Sequence, residues 1–231
     1  EGPLAGNGAI SVPADACLWL TNQLGLEQLR DYTILYDIRP SALKGWNALY
    51  QRDVENKSDA GIFIKNGLVG SGQSGLSYHG DIVPGKWHRI LFVVKGGYAT
   101  LYLDGEKIGQ STSTSSNWTL MPDVLLLMDE DGETLDNDVA EIRFWDVPLN
   151  DAHALELGGV EQNWVDEPFA DPVSIWTFDN PSDPLAGTGT ATLRGAVKGN
   201  NGPELVDDLS AAGFLPIAGL SASDGALTVP V

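Results

Sequence analysis

The sequence predicts an all-β protein, a two-sheet antiparallel jelly-roll sandwich with one short helix. Three observations carry this expectation. Short apolar or alternating runs recur along most of the chain. Turns rich in glycine and asparagine separate them. One stretch alone has the caps of a helix.

Tyr32–Arg39 is rich in aromatic and β-branched residues, and Pro40 ends it. Trp46–Arg52 follows Gly45. Ala60–Lys65 ends at Asn66-Gly67, a pair suited to tight turns. A glycine-rich loop, Val69–Gly75, comes next. Trp87–Val94, Gly96-Gly97, Tyr98–Leu103 and Asp104-Gly105 then read as consecutive antiparallel strands. Their turns need the positive φ angles that glycine supplies. Leu101 and Leu103 face one side of their strand, and Tyr98, Thr100 and Tyr102 the other. Val124–Met128 is apolar throughout, so both of its faces are expected to be covered.

The acidic stretch Asp129–Asp138 precedes a strand at Val139–Trp145. Asn150 is placed to cap a helix that Gly158-Gly159 closes. Val160–Val173 is acidic, carries two prolines and reads as a linker or an extended arm. Ser174–Phe178 is a strand, with shorter candidates at Ala191–Leu193 and Ala226–Val229.

The chain has 231 residues and a net charge of −19, from 32 acidic and 13 basic residues. That balance argues against nucleic acid and anionic membrane surfaces, which both need clustered Lys and Arg. It suits Ca²⁺ or a solvated acidic surface. No apolar run reaches the about 18 residues of a membrane span, so no membrane insertion is expected. The single cysteine, Cys17, sits among apolar residues and reads as buried. No segment reads as a signal peptide.

Gly8-Ala-Ile-Ser-Val-Pro13 returns as Gly225-Ala-Leu-Thr-Val-Pro230, identical at four of six positions. The order of motifs gives this echo a context. Tyr32–Asp37, Trp46–Gln51, Asn56–Ala60, Gly85–Arg89, Leu101–Gly105, Met128–Glu133 and Asp138–Asp146 resemble the bacterial laminin-G-like domains of the concanavalin A-like lectin/glucanase superfamily. The resemblance implies the jelly roll, a secreted or cell-surface setting, and a domain that starts with a Trp-x-Phe-Asp strand. Trp176-Thr-Phe-Asp179 supplies that strand, but after the first domain.

Three segments are therefore expected. Residues 1–159 form a laminin-G-like jelly roll lacking its first strand, 160–173 a linker or arm, and 174–231 the opening of a second repeat. That opening would complete the first sheet, from its own chain or by exchange with a neighbouring chain.

Three chemistries are compatible with a sandwich of this kind. Sandwich glycosidases need two carboxylates on one face of a strand. Glu141 and Asp146 are five positions apart and point to opposite faces of a regular strand, so no catalytic residues and no enzyme are expected. For a metal, Ca²⁺ takes about six to eight oxygens. The stretch 129–138 offers Asp129, Glu130, Asp131, Glu133, Asp136 and Asp138. The resemblance lays the Trp-x-Phe-Asp strand beside the last strand, which brings Asp179 toward Asp138. Asp136, Asp138 and Asp179 are thus the expected Ca²⁺ ligands. For glycans, Tyr78, His79 and Trp118 are the candidate stacking and polar contacts of a polysaccharide or glycan. The resulting expectation is a non-catalytic carbohydrate- or surface-ligand-binding domain. The alternatives are an adhesion spacer or an accessory module of a larger enzyme.

Overall fold

The computed structural model describes residues 2–3, 7–22, 24, 28–162 and 169–217. The strands in chain order are β1 (Ala9–Val12), β2 (Ala16–Thr21), β3 (Tyr32–Pro40), β4 (Trp46–Tyr50), β5 (Ile62–Lys65), β6 (Leu68–Gly70), β7 (His88–Lys95), β8 (Tyr98–Leu103) and β9 (Glu106–Gln110). A single 3₁₀ turn, Ser116–Trp118, leads to β10 (Asp123–Leu126) and β11 (Asn137–Trp145). The helix α1 (Asp151–Leu157) precedes β12 (Ser174–Trp176), β13 (Thr188–Gly189), β14 (Thr192–Gly199), β15 (Gly202–Leu205) and β16 (Leu215–Ile217).

Two antiparallel layers enclose one core. The larger sheet runs β13-β12-β11-β3-β7-β8-β9, with β1 also paired to β11 and β16 to β1. The opposing layer holds β10-β2-β14-β15 and β4-β5-β6. Reciprocal backbone bonds between Gln51 and Leu125 join its two parts. Alternate residues meet between the layers: Ile34, Tyr36, Ile38, Ile90 and Phe92 from one, Leu18, Leu20, Leu49, Ile64, Val124 and Leu126 from the other. Burying such side chains is worth about 1.5–3 kcal/mol each, which is why the alternation fixes the register.

The outer face of the larger sheet is also covered in part. Leu35, Leu91, Tyr102 and Trp145 pack with Leu149, Ala154 and Leu157, the last two on α1. The Asn150 side chain accepts from the His153 N–H, and Gly158 ends α1 at φ 53. β10 is apolar on both faces because Leu125 packs in a second outer cluster with Cys17, Met128 and Ala196. Burial pushes the Cys17 thiol up to about 12, so it is a small apolar side chain and not a nucleophile.

The segment after α1 returns to the sandwich. β12 pairs with β11 in the register Trp176↔Ile142, and β14 pairs with β2 over six residues. Trp176, Phe178 and Phe214 are buried in the main core. The 226–229 strand candidate lies outside the described residues. Among the described residues no helix is long and apolar enough to cross a membrane.

Candidate metal and ligand site

The site grows out of the loop that follows β10. Leu127 takes a left-handed φ of 69, which turns the chain and drops Met128 and Asp129 inward. Asp129 is 1% exposed. The long connection between β4 and β5 comes alongside. Asp53 accepts from the backbone N–H groups of Glu55 and Lys57, and Gln51 donates from Nε2 to the Ser58 carbonyl. These bonds set the loop so that Ala60 donates its N–H to Asp129 Oδ1 at 2.8 Å, with Asp59 beside it.

The other oxygen of that carboxylate, Oδ2, is buried and has no hydrogen-bond partner, as is Glu130 Oε2. A buried carboxylate oxygen without a donor is costly. Two groups of three acids share Asp129: Asp59, Asp129 and Glu130, then Asp129, Asp131 and Glu133. Within each group the oxygens lie within 4.8 Å of one another. Burial, then the Glu130 carboxyl beside it, pushes Asp129 up to about 8. Burial and the neighbouring acids also raise Asp59 and Glu133. Each shift combines burial with neighbouring carboxylates, and only at Glu133 does a cation, Lys65, partly offset it. A divalent cation would relieve all of them. An all-oxygen donor set fits a hard cation such as Ca²⁺, with waters completing the shell.

An aromatic ledge adjoins the acids. Trp46 meets Phe63 and Tyr78 edge-on, at 5.2 and 5.6 Å between ring centroids. Lys65 Nζ stands 3.7 Å from the centre of the Trp46 ring. Burial, then Glu133 and Asp59, raises the Tyr78 phenol, which has no hydrogen-bond partner. The structure thus brings Tyr78 to the acidic loop.

The other expected residues lie elsewhere. His79 is exposed, and its backbone bridges to Val69. Trp118 is a correction. The polar run around it suggested an exposed rim, yet Trp118 is fully buried. Ser115 caps the 3₁₀ turn and rotates the indole inward, where Nε1 donates to the Gly61 carbonyl at 3.1 Å. Asp136, Asp138 and Asp179 belong to neither carboxylate group. Asp136 accepts from the Ala14 N–H, and Asp179 accepts from the Gly8 N–H at 2.6 Å. Asp138 Oδ2 takes two bonds from Arg39, at 2.7 and 2.9 Å. A guanidinium already neutralises that carboxylate.

Sequence reading missed Asp59, because it is 70 residues before Asp129 and nothing local ties the two. It also missed Trp46, taken only as part of a strand. Asp129, Glu130, Asp131 and Glu133 were legible as members of the acidic stretch 129–138 that offers oxygens for Ca²⁺.

Residues 7–154 match the family model for laminin-G-like domains described as the concanavalin A-like lectin/glucanases superfamily. The chain belongs to this family. This laminin-G-like chain is similar to several solved structures. One is a Bacteroides ovatus protein with a proposed carbohydrate-binding role (TM-score 0.57, 15% identity, covering 94% of this chain and 62% of that one). Another is the SAP-like pentraxin of Limulus polyphemus (TM-score 0.47, 15% identity, 81% and 94%). A third is domain 4 of a Geobacillus stearothermophilus arabinanase, solved with arabinotriose (TM-score 0.47, 15% identity, 65% and 76%). No curated protein matches the laminin-G-like chain.

Proposed function

We propose that this laminin-G-like domain is a non-catalytic carbohydrate-binding module of a secreted or cell-surface protein, and that Ca²⁺ supports its binding site. The observation that carries the reading is the buried Asp129 carboxylate. One oxygen is held by Ala60 and the other is unpartnered, among four further acids. A cation there would offer open coordination positions to vicinal sugar hydroxyls, next to the aromatic edge of Trp46 and Tyr78.

On the outer face of the larger sheet, Asp37 and Glu141 lie side by side and are each bonded to a guanidinium. Asp37 is tied to Arg89 by two bonds, at 2.6 and 2.7 Å, and Glu141 to Arg143 at 2.6 Å.

The test is a glycan array spanning plant, host and microbial polysaccharides, read with Ca²⁺ and with chelator. Binding should require Ca²⁺ and should be lost in Asp129→Asn. A blank array in the presence of Ca²⁺ would remove the lectin reading. Reducing-sugar release would remove the non-catalytic one.

A further inference from the structure

The two parts of the opposing layer meet and then separate. Gln51 and Leu125 exchange backbone bonds, and Leu127 donates to the Leu49 carbonyl. Past Gln51 the chain leaves the sheet at Arg52 to form the long β4–β5 connection, whereas β10 begins at Asp123. Between them lies a groove of about 510 Å³. Small-molecule sites span about 300–1,000 Å³.

The floor of the groove is apolar. Val54 packs against the outer cluster of Cys17, Leu125, Met128 and Ala196, and Met121 packs against the main core. Both are half-buried and keep a face toward the groove. The rim is polar and each of its side chains is held. Arg52 Nη1 donates to the Ser116 carbonyl at 2.5 Å, and a guanidinium has further N–H groups to offer. Asn117 Nδ2 donates to Gln73 Oε1 at 2.9 Å, which leaves Oδ1 as an acceptor. Trp19 Nε1 and Thr21 Oγ1 both donate to Asp123 Oδ1, which leaves Oδ2 as another.

Fixed donors and acceptors around an apolar floor suit a sugar ring. Its hydroxyls both donate and accept, and its C–H faces are apolar. The charge of the groove narrows the class. Asp53, Glu55 and Asp123 line it against one guanidinium, Arg52. That balance repels uronic, sulfated and phosphorylated ligands. The groove also adjoins the acidic site. Ser58 borders the groove, and the next residue, Asp59, belongs to the carboxylate group with Asp129 and Glu130. Consecutive Cα atoms are about 3.8 Å apart, and both residues are exposed.

We propose that the groove lined by Arg52, Val54, Asn117, Met121 and Asp123 extends the glycan site, and that it takes the further rings of a neutral oligosaccharide whose first ring lies at the Asp129 acids. The inference rests on the carbohydrate-binding reading above and adds the charge and length of the ligand. Side chains already fixed by hydrogen bonds lower the cost of ordering the site on binding.

The test is titration calorimetry of the full chain in Ca²⁺. The probes are gluco-, xylo- and manno-oligosaccharides from the monosaccharide to the hexasaccharide, and oligogalacturonates of the same lengths. At least one neutral series should bind, with affinity rising about tenfold or more from the monosaccharide to the trisaccharide, as one added hydrogen bond to a charged group implies. The galacturonates should bind more weakly. Asp123→Asn, which keeps an acceptor for Trp19 and Thr21, should remove most of the gain with length, and so should Asn117→Ala. Thermal unfolding checks that each variant is folded, and either one suffices.

A monosaccharide that binds as tightly as the longer chains overturns this inference and leaves the carbohydrate-binding reading standing. So does a gain with length that survives in the variants. Tighter binding of the galacturonates overturns the assignment to neutral sugars. If no series binds, the inference falls, and a blank glycan array then removes the carbohydrate-binding reading with it.

Discussion

Two sets of acids lie in or near one stretch of sequence and meet opposite fates. Asp129, Glu130, Asp131 and Glu133, with Asp59 from the facing loop, crowd together and include two unpartnered buried oxygens; burial and like charge raise the protonation equilibria of Asp129, Asp59 and Glu133. Asp136, Asp138 and Asp179, a few residues on or across the sheet edge, each accept a hydrogen bond from a named donor. The second set is structural: its carboxylates tie β1, β3 and β12 to the strands around β11. In the first set, Asp129 Oδ2 and Glu130 Oε2 are buried without a donor. Acid density in a sequence therefore says little about metal binding. What separates the two sets is whether the fold delivers a donor to each oxygen.

The contrast can be broken most sharply at Asp129. With Ca²⁺ at about 100-fold over its Kd, linkage adds about 2.7 kcal/mol, so Tm should rise by roughly 5–10 °C in a domain of this size. Calorimetry with Ca²⁺ and with chelator measures it. Asp129→Asn should abolish that rise, whereas Asp138→Asn should leave it in place. Equal loss in both variants would erase the distinction between the two sets.

A pH series sharpens the same point. Asp129 is pushed up to about 8 in the folded state, far above an ordinary carboxylate. The folded state then binds a proton that the unfolded state has released. Its stabilising contribution is complete below the ordinary carboxylate range and is lost as pH rises through about 8. In chelator, the Tm difference between the native sequence and Asp129→Asn should therefore fall steadily from pH 4 to 8. A flat difference would mean that Asp129 is not held protonated.

Smaller effects are expected in the structural set. Arg39→Ala breaks a partly exposed pair with Asp138 and the contact of Arg39 with the Trp87 ring at 4.8 Å. A loss of about 1 kcal/mol, or roughly 2–4 °C in Tm, should follow, with the Ca²⁺ response unchanged. Asp136→Asn, at an exposed residue that accepts from Ala14, should move Tm by no more than about 2 °C.

Much of the sandwich was legible because strand alternation and turn chemistry are local. The hairpin of β7 and β8 follows from side chains that alternate between the two faces of the sheet, closed by Gly96-Gly97, which sit at φ 58 and 83. The helix cap at Asn150 follows from a side chain that reaches its own third neighbour. Tyr78 was legible as a candidate, although its neighbours were not. Trp118 was misread because the polar run Ser111–Thr119 in which it sits predicts exposure only on average. The inward turn of one indole depends on a carbonyl at Gly61, far away in sequence.

The amino-acid sequence by itself determined the all-β class, the order of most strands, the single capped helix and the strong negative charge. Each depends on neighbours within a few residues, or on composition alone. Tertiary structure decided which acids are neutralised, which loop faces the buried Asp129, and which segments pair with β11. Those outcomes rest on contacts between residues about 70 to 170 positions apart, and Coulomb and hydrogen-bond energies depend on distance in space, not on separation along the chain.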